Sequence, residues 1–204
     1  IRTVERVVKA LDQQRDDLAR SARFWAARDD TCDFIVSSNT MYIKRNLSDA
    51  VLRGAEVDFL LFVTPSGRVA YATFRDMQDN RNALEPSALT TLLQPDSPLV
   101  RHTTVTSVVA GFMLASNRIC LIAVQPIVTS QGQGPIRGSL LAGRLLDRRV
   151  EHHVADAVGV TLHLRPVRAV TSPETVIVDA GAWSPTRVAA AKHRLLVAET
   201  LRDI

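Results

Sequence analysis

The first 27 residues carry their apolar side chains at seven-residue intervals. One series runs Ile1, Val8, Ala22 with Arg15 interrupting it, and a second runs Val4, Leu11, Leu18, Trp25. A repeat of seven gathers both series on one side of an α-helix as a continuous seam. A helix this long projects beyond a compact domain, so the seam predicts contact with another helix, and the preferred partner is the same helix of a second copy. The stripe equally suits an amphipathic helix lying on its own sheet. Both hold together if the start of the helix makes the pairing and its end, around Trp25, packs on the domain.

Beyond this helix the period changes. Residues 39–53 read as helical, with Ser37 or Ser38 as the cap, Ile43, Leu47, Ala50 and Val51 as the buried stripe, and Gly54 as the stop. Residues 57–63 are apolar except for Asp58, and Thr64-Pro65-Ser66-Gly67 leads into strand-like residues 68–74. That is a hairpin whose first strand is buried on both faces. Polar residues without periodicity over 75–82 predict a surface loop, and Pro86 suits the start of a short helix reaching Leu93. Strand character returns over 105–115, turns at Ser116-Asn117-Arg118, and resumes over 119–126. Glycines at 132 and 134 then punctuate a turn into a strand of small and apolar residues running toward Asp147. Five strands joined mostly by tight turns predict an antiparallel sheet with helices before it and inserted in it. Asp147 opens a helix through about Val158, Gly159 stops it, and residues 160–164 read as a further strand. Over 187–201 helix propensity competes with a hairpin turning at Lys192-His193.

With 204 residues and 46% apolar content, the chain can bury a real core in one domain, with or without an appendage. The net charge of +4 comes from dispersed arginines, so no basic patch of the kind nucleic acid requires is expected. No apolar run reaches the roughly 18–20 residues of a membrane span, and no signal peptide opens the chain. The pattern starts and stops inside helical periodicity, as in a domain cut from a longer chain. Cys32 and Cys120 are expected to be two buried thiols rather than a pair.

The chemistry is sparse. There is no Gly-x-Ser-x-Gly elbow, no His-Glu-x-x-His, no phosphate loop and no Cys-x-x-Cys. Gly132-Gln133-Gly134 precedes a strand, whereas a dinucleotide site needs a helix there. Neither catalysis nor a cofactor is expected. Asp29, Asp30 and Asp33 gather beside Phe24, Trp25 and Phe34, but without the glycine of a calcium loop. They suit capping, a turn, or a carboxylate facing a ligand amine better than a metal. His152 and Asp156 share a helix face as half a metal site at most, so a solvated face is expected. On the strand before Asp147, only Arg137 and Arg144 are strongly polar.

Three motifs coincide in order and spacing. The hairpin over 125–147, with Gly143-Arg144 followed by Leu146-Asp147, resembles that of the fourth subtype of CHASE domains, the extracytoplasmic sensory modules of receptor kinases and cyclic-di-GMP enzymes. Trp25-Ala26 and Asp29-Asp30-Thr31, followed by Phe34, Asn39, Tyr42 and Asn46-Leu47, are similar to a second signature of that family. The turn over 64–68 is similar to a third. Phe24, Arg28 and Cys32 depart from its usual residues.

The resemblance implies an α+β, PAS- or Cache-like fold: a long N-terminal helix, a five-stranded antiparallel sheet and flanking helices. It divides the chain into an N-terminal helix and acidic turn (1–37), a sensory core (38–165) and a C-terminal extension (166–204). It also implies membrane spans on either side, an extracytoplasmic location and a cytoplasmic output domain. A small molecule held between sheet and helices would shift the N-terminal helices of a homodimer, with Trp25 and Tyr71 as apolar walls, Asp29 and Asp30 as acceptors, and Arg144 as donor to an anionic group. The alternative is a dimerisation module with no small-molecule ligand, in which Trp25 is plain core and Arg144 pairs with Asp29 or Asp30.

Overall fold

The computed structural model describes residues 2–75, 89, 92–115 and 118–164. Helix α1 (Arg2–Ala26) is amphipathic along its whole described length. Its buried stripe is Val7, Leu11, Gln14, Leu18, Ala22 and Trp25, which keeps Leu11, Leu18 and Trp25 of the second seven-residue series and replaces Val8 of the first by Val7. From Val7 onward the domain's own sheet and the helix over 148–158 cover that stripe. Ala26 O accepts from Val128 N, and Ala19 O accepts from the Gln125 side chain.

The acidic segment expected as a turn is a helix, α2 (Asp29–Ser37), because Asp29 and Asp30 fall in its first turn, beside free backbone amides. Ser38 closes it in the left-handed conformation at φ 51°, its N–H donating to Phe34 O. Neither Ser37 nor Ser38 therefore caps the next helix. Asn39 does, accepting from Met41 N at 2.9 Å. The single helix expected over 39–53 is two, α3 (Thr40–Asn46) and α4 (Asp49–Gly54), with Ser48 capping the second through Val51 N. The break resets the helical phase, so Leu52 is buried and Ala50 is exposed.

Strands β1 (Phe59–Val63) and β2 (Val69–Phe74) form the expected hairpin, with β1 buried at every position. Gly67 takes φ 81° in the turn, where Thr64 N donates to Arg68 O. Strands β3 (Val109–Ala115), β4 (Arg118–Ile127) and β5 (Gly138–Leu145) complete a sheet of order β2-β1-β5-β4-β3, antiparallel at every pairing. The five-stranded antiparallel sheet follows the sequence reading; the insertion of β5 between β1 and β4 is a tertiary fact. Helix α5 (Arg148–Val158) starts at Asp147, whose carboxylate accepts from Arg149 N and Val150 N, and stops at Gly159 with φ 73°.

Alternation along the strands creates two apolar layers. On one face Leu60, Phe62, Leu121, Ala123, Leu140 and Ala142 meet the buried stripes of α1 and α5. On the other, Phe59, Leu61, Met113, Ile122, Leu141 and Leu145 pack beneath Leu89, Leu93, Leu99 and Val100. Residues 160–164, expected as a strand, are not one. Leu162 packs into the α1-side cluster and Leu164 N donates to the Glu151 carboxylate at 2.7 Å, so this segment is held by α5 and pairs with no strand. Most of the loop expected over 75–82, most of the helix reaching Leu93, and the helix or hairpin over 187–201 lie outside the described residues.

Candidate functional site

The signature residues of the α1–α2 junction converge on the turn after β4. Trp25, 1% exposed, donates Nε1 to Asn46 O at 3.2 Å, and so ties the end of α1 to the end of α3. Two residues on, Ala27 forms a parallel bridge with Val128. The Asp29 carboxylate accepts from Ser130 N at 3.0 Å and from Ser130 Oγ at 2.7 Å, and these two bonds hold its pKa below the ordinary carboxylate value. Asp30 takes the Arg28 guanidinium through both oxygens, which likewise lowers its pKa. Arg28 also lies 5.4 Å from the centre of the exposed Phe24 ring, so two of the three departures from the family pattern contact each other.

Behind this junction is an aromatic nest. Phe34 stacks on Tyr42 with centroids 4.4 Å apart and meets Phe62 and Tyr71 edge-on at 5.2 and 5.6 Å. Thr31 Oγ1 and Tyr42 OH share a hydrogen bond of 2.6 Å, while burial pushes the Tyr42 hydroxyl up to about 12. Tyr71 is half-buried in this nest through its register opposite Phe62. Trp25, Asp29, Asp30 and Tyr71 are thus brought to one end of the sheet.

Arg144 belongs to the other end. It lies six residues beyond Gly138 along β5, about 20 Å at some 3.3 Å per residue, and is paired with Leu121. Arg144, 5% exposed, donates Nε to Glu56 O at 2.7 Å, Nη1 to Gln14 Oε1 of α1 and Nη2 to Ala55 O at 3.5 Å, and pairs with the Glu56 carboxylate at 3.2 Å. Neither Asp29 nor Asp30 is its partner. The adjacent Gly143 faces the second layer, where the Phe59 ring occupies the space a Cβ would need. The Gly-Arg pair therefore admits an aromatic ring on one face of the sheet and grips α1 on the other. Leu146 packs in the α1-side core and Asp147 caps α5, which accounts for the Leu-Asp that follows.

Sequence reasoning missed Gln14 and undervalued Asp58. Gln14 occupies a core position of the seam, and a first series placed one residue late hides it. Asp58 stands as a lone acid inside an apolar run, and that is its signal. Its side chain is 1% exposed, accepts from Leu145 N at 2.8 Å and pairs with Arg75 and Arg149, joining β1, β2, β5 and α5.

Cys32 and Cys120 are buried free thiols; burial raises both, Cys120 to about 12, which keeps them protonated. Among the described residues no group of three or more His, Cys, Asp or Glu side chains is placed to hold a metal, and no helix is long and apolar enough to cross a membrane. His152 and His153 are solvent-exposed on α5.

The model of the CHASE4 domain matches residues 10–165. The chain belongs to the CHASE4 family. That span takes in the α1–α2 junction, the whole sheet and α5, so the residues that carried the resemblance are the ones that join helix to sheet in this CHASE4 domain. It is 29% identical over 163 residues to the methanogenesis regulatory histidine kinase FilI of Methanothrix harundinacea (strain 6Ac), covering 80% of this chain and 18% of that protein. The chain therefore spans under a fifth of the length of that relative. Its fold is similar to the sensor domain of the histidine kinase DctB of V. cholerae (TM-score 0.50, 11% identity, 76% of this chain and 56% of that one). It is also similar to the periplasmic domain of Vibrio cholerae LuxQ (TM-score 0.56, 11% identity, 85% and 80%). At such identities the likeness is one of fold, that of PAS- and Cache-like sensor domains.

Proposed function

We propose that this CHASE4 domain is the extracytoplasmic sensor of a dimeric transmembrane receptor whose output is a histidine kinase. The reading is carried by one observation: within a family-matched sensor fold, the long helix α1 is bonded directly to the sheet at Gln14, Ala19 and Ala26. A ligand that prefers one arrangement of the sheet and its covering segments thereby acts on the position of α1, and a helix position can be passed through a membrane.

The homodimer is made by the start of α1, ahead of Val7, since the stripe from Val7 onward faces the domain's own core. Asp29 and Asp30 are the ligand acceptors: both are exposed, and a ligand donor there adds to or replaces the bonds that Ser130 and Arg28 now make to them, while Tyr71 is the apolar wall. Trp25 and Arg144, engaged in internal bonds, serve as frame and coupling. The test is a thermal-shift screen of the chain against amino acids, carboxylates, amines and nucleobases. A ligand at a hundredfold excess over its Kd adds about 2.7 kcal/mol, and at about 2–4 °C per kcal/mol raises Tm by roughly 5–11 °C. Flat responses across the library refute ligand sensing by this domain.

A second reading is favoured by the second face of the sheet, which is packed with apolar side chains under Leu89, Leu93, Leu99 and Val100. There the domain is a dimerisation and interaction module with no small-molecule ligand. A dimer by light scattering together with a flat ligand screen would select it.

A further inference from the structure

One sequence motif is used neither by the sheet nor by the ligand acceptors. Asn46-Leu47-Ser48 is an asparagine followed two positions on by a hydroxyl residue, with no proline between, the acceptor pattern for N-linked glycans. Asn39, Asn80, Asn82 and Asn117 each lack that hydroxyl. A pattern so short arises by chance, so the fold has to decide whether Asn46 can carry a sugar.

The motif falls at the joint between α3 and α4. Asn46 is the last residue of α3, Leu47 closes that helix with its N–H on Ile43 O, and Ser48 is the N-cap of α4. Leu47 is 4% exposed and pins the joint to the core. Asn46 and Ser48 are partly exposed, and Lys44, Arg45, Asp49 and Ala50 on either side are fully exposed, so a bulky group at residue 46 has solvent around it. The Asn46 side chain uses one of its two Nδ2 hydrogens, donating to Tyr42 O at 3.2 Å. The other meets no acceptor among the described residues, and the bond from Trp25 Nε1 goes to the main-chain oxygen of Asn46. Attachment of a glycan consumes one Nδ2 hydrogen and keeps the other, so the adduct breaks neither bond.

We propose that Asn46 is an N-glycosylation site of this domain. This rests on the extracytoplasmic reading, because such glycans are attached on the outer side of the membrane. The donor is an oligosaccharide linked to a polyprenyl phosphate or pyrophosphate. Asn46 Nδ2 bonds to the anomeric carbon, the bond from that carbon to the phosphate oxygen breaks, the lipid phosphate leaves with the electron pair, and Nδ2 gives up one proton. The Ser48 hydroxyl is the recognition element and is not consumed; in the fold it accepts from Val51 N at 3.4 Å, a long bond. Because Asn46 O receives Trp25 Nε1, the glycan stands at the far end of α1, about 35 Å from its start at 1.5 Å per residue. A bulky, solvated group there closes that end to protein partners and leaves the start of α1 free for the homodimer.

The test is tandem mass spectrometry of the full protein purified from membranes of the cell that makes it, as wild type, Asn46→Gln, Ser48→Asp and Ser48→Thr. Ser48→Asp keeps a capping side chain on α4 but removes the hydroxyl, and Ser48→Thr keeps both. The expected result is added sugar mass and sugar fragment ions on the peptide spanning residue 46 in wild type and Ser48→Thr, and their complete loss in Asn46→Gln and Ser48→Asp. An unmodified wild-type peptide overturns the proposal whether or not the variants fold. So does sugar that persists on this peptide in Asn46→Gln or Ser48→Asp, or that is lost in Ser48→Thr. Protease added to spheroplasts separates the two readings. An unmodified domain that the protease cleaves overturns the glycan site and leaves the extracytoplasmic reading standing; an unmodified domain protected from the protease removes both.

Discussion

Replacing Gly143 by alanine puts one methyl group where the structure has none to spare. Gly143 is paired with Phe59 across β1 and β5, and a Cβ built on it falls within the Phe59 ring, against Cζ, Cε1 and Cε2. The ring cannot swing into solvent: Phe59 is 1% exposed and stacks on Phe74 at 5.9 Å. Alanine gains about 0.5–1 kcal/mol over glycine in backbone entropy. Overpacking a tight core costs about 1–3 kcal/mol, and overlap with a rigid ring belongs at the upper end. The expected net loss is about 2–2.5 kcal/mol, read as a lower urea midpoint at constant m, or as a Tm lowered by roughly 4–10 °C at about 2–4 °C per kcal/mol. Trimming the ring tests the cause. In the Gly143→Ala, Phe59→Leu pair the two losses should be less than additive, with a coupling of about 0.5–3 kcal/mol. A Gly143→Ala variant as stable as wild type, or strictly additive losses, would refute the account of why glycine precedes Arg144.

Three further outcomes follow from named contacts. Asp147→Ala removes the carboxylate that caps α5 through Arg149 N and Val150 N, and should cost about 1 kcal/mol with faster amide exchange confined to the first turn of that helix; unchanged exchange there contradicts the cap. Asp58→Asn breaks a buried ion pair and should cost about 3–5 kcal/mol, with double-mutant cycles assigning more coupling to the enclosed Arg75 than to the half-exposed Arg149; equal couplings would count against that burial argument. His102 supplies the pH dependence. Ser107 Oγ donates to Thr104 O, so His102 Nδ1 donates to Ser107 Oγ, Nε2 meets no partner, and burial lowers the pKa below its ordinary 6.5. The unfolded chain therefore takes up a proton that the folded one refuses. The contribution is fully present above 6.5 and is lost as pH falls through the folded pKa. Urea midpoints on either side of 6.5 should show this drop in wild type, and His102→Gln should flatten it; an equally steep profile in the variant would contradict the assignment.

Much of the fold is legible in the sequence because its signals are local. Seven-residue spacing marks α1, an apolar run closed by Pro65 and Gly67 marks the first hairpin, and Asp147 and Gly159 bracket α5, since each depends only on side chains within a turn or two of one another. Where competing local signals lie close together, the reading fails: Ser38 competes with Asn39 for the cap of α3, and Ser48 within a helical pattern conceals a second start. The motif residues are also identifiable in sequence, but their roles are not. Trp25, Asp29 and Asp30 lie at one end of the sheet and Arg144 at the other, because its distance from them depends on the length of β5.

What the sequence by itself determined is α1, α5, the five strands and the family, all written in short-range periodicity and spacing. What only the tertiary structure decided is which elements meet. The sheet order β2-β1-β5-β4-β3 brings Gly143 onto Phe59, Arg144 onto Gln14 and Glu56, and Asp58 onto Leu145 N, pairs separated by 80 or more positions in the chain. Such contacts leave no period in the sequence, because a buried charge is matched by whatever the packing of distant segments places beside it.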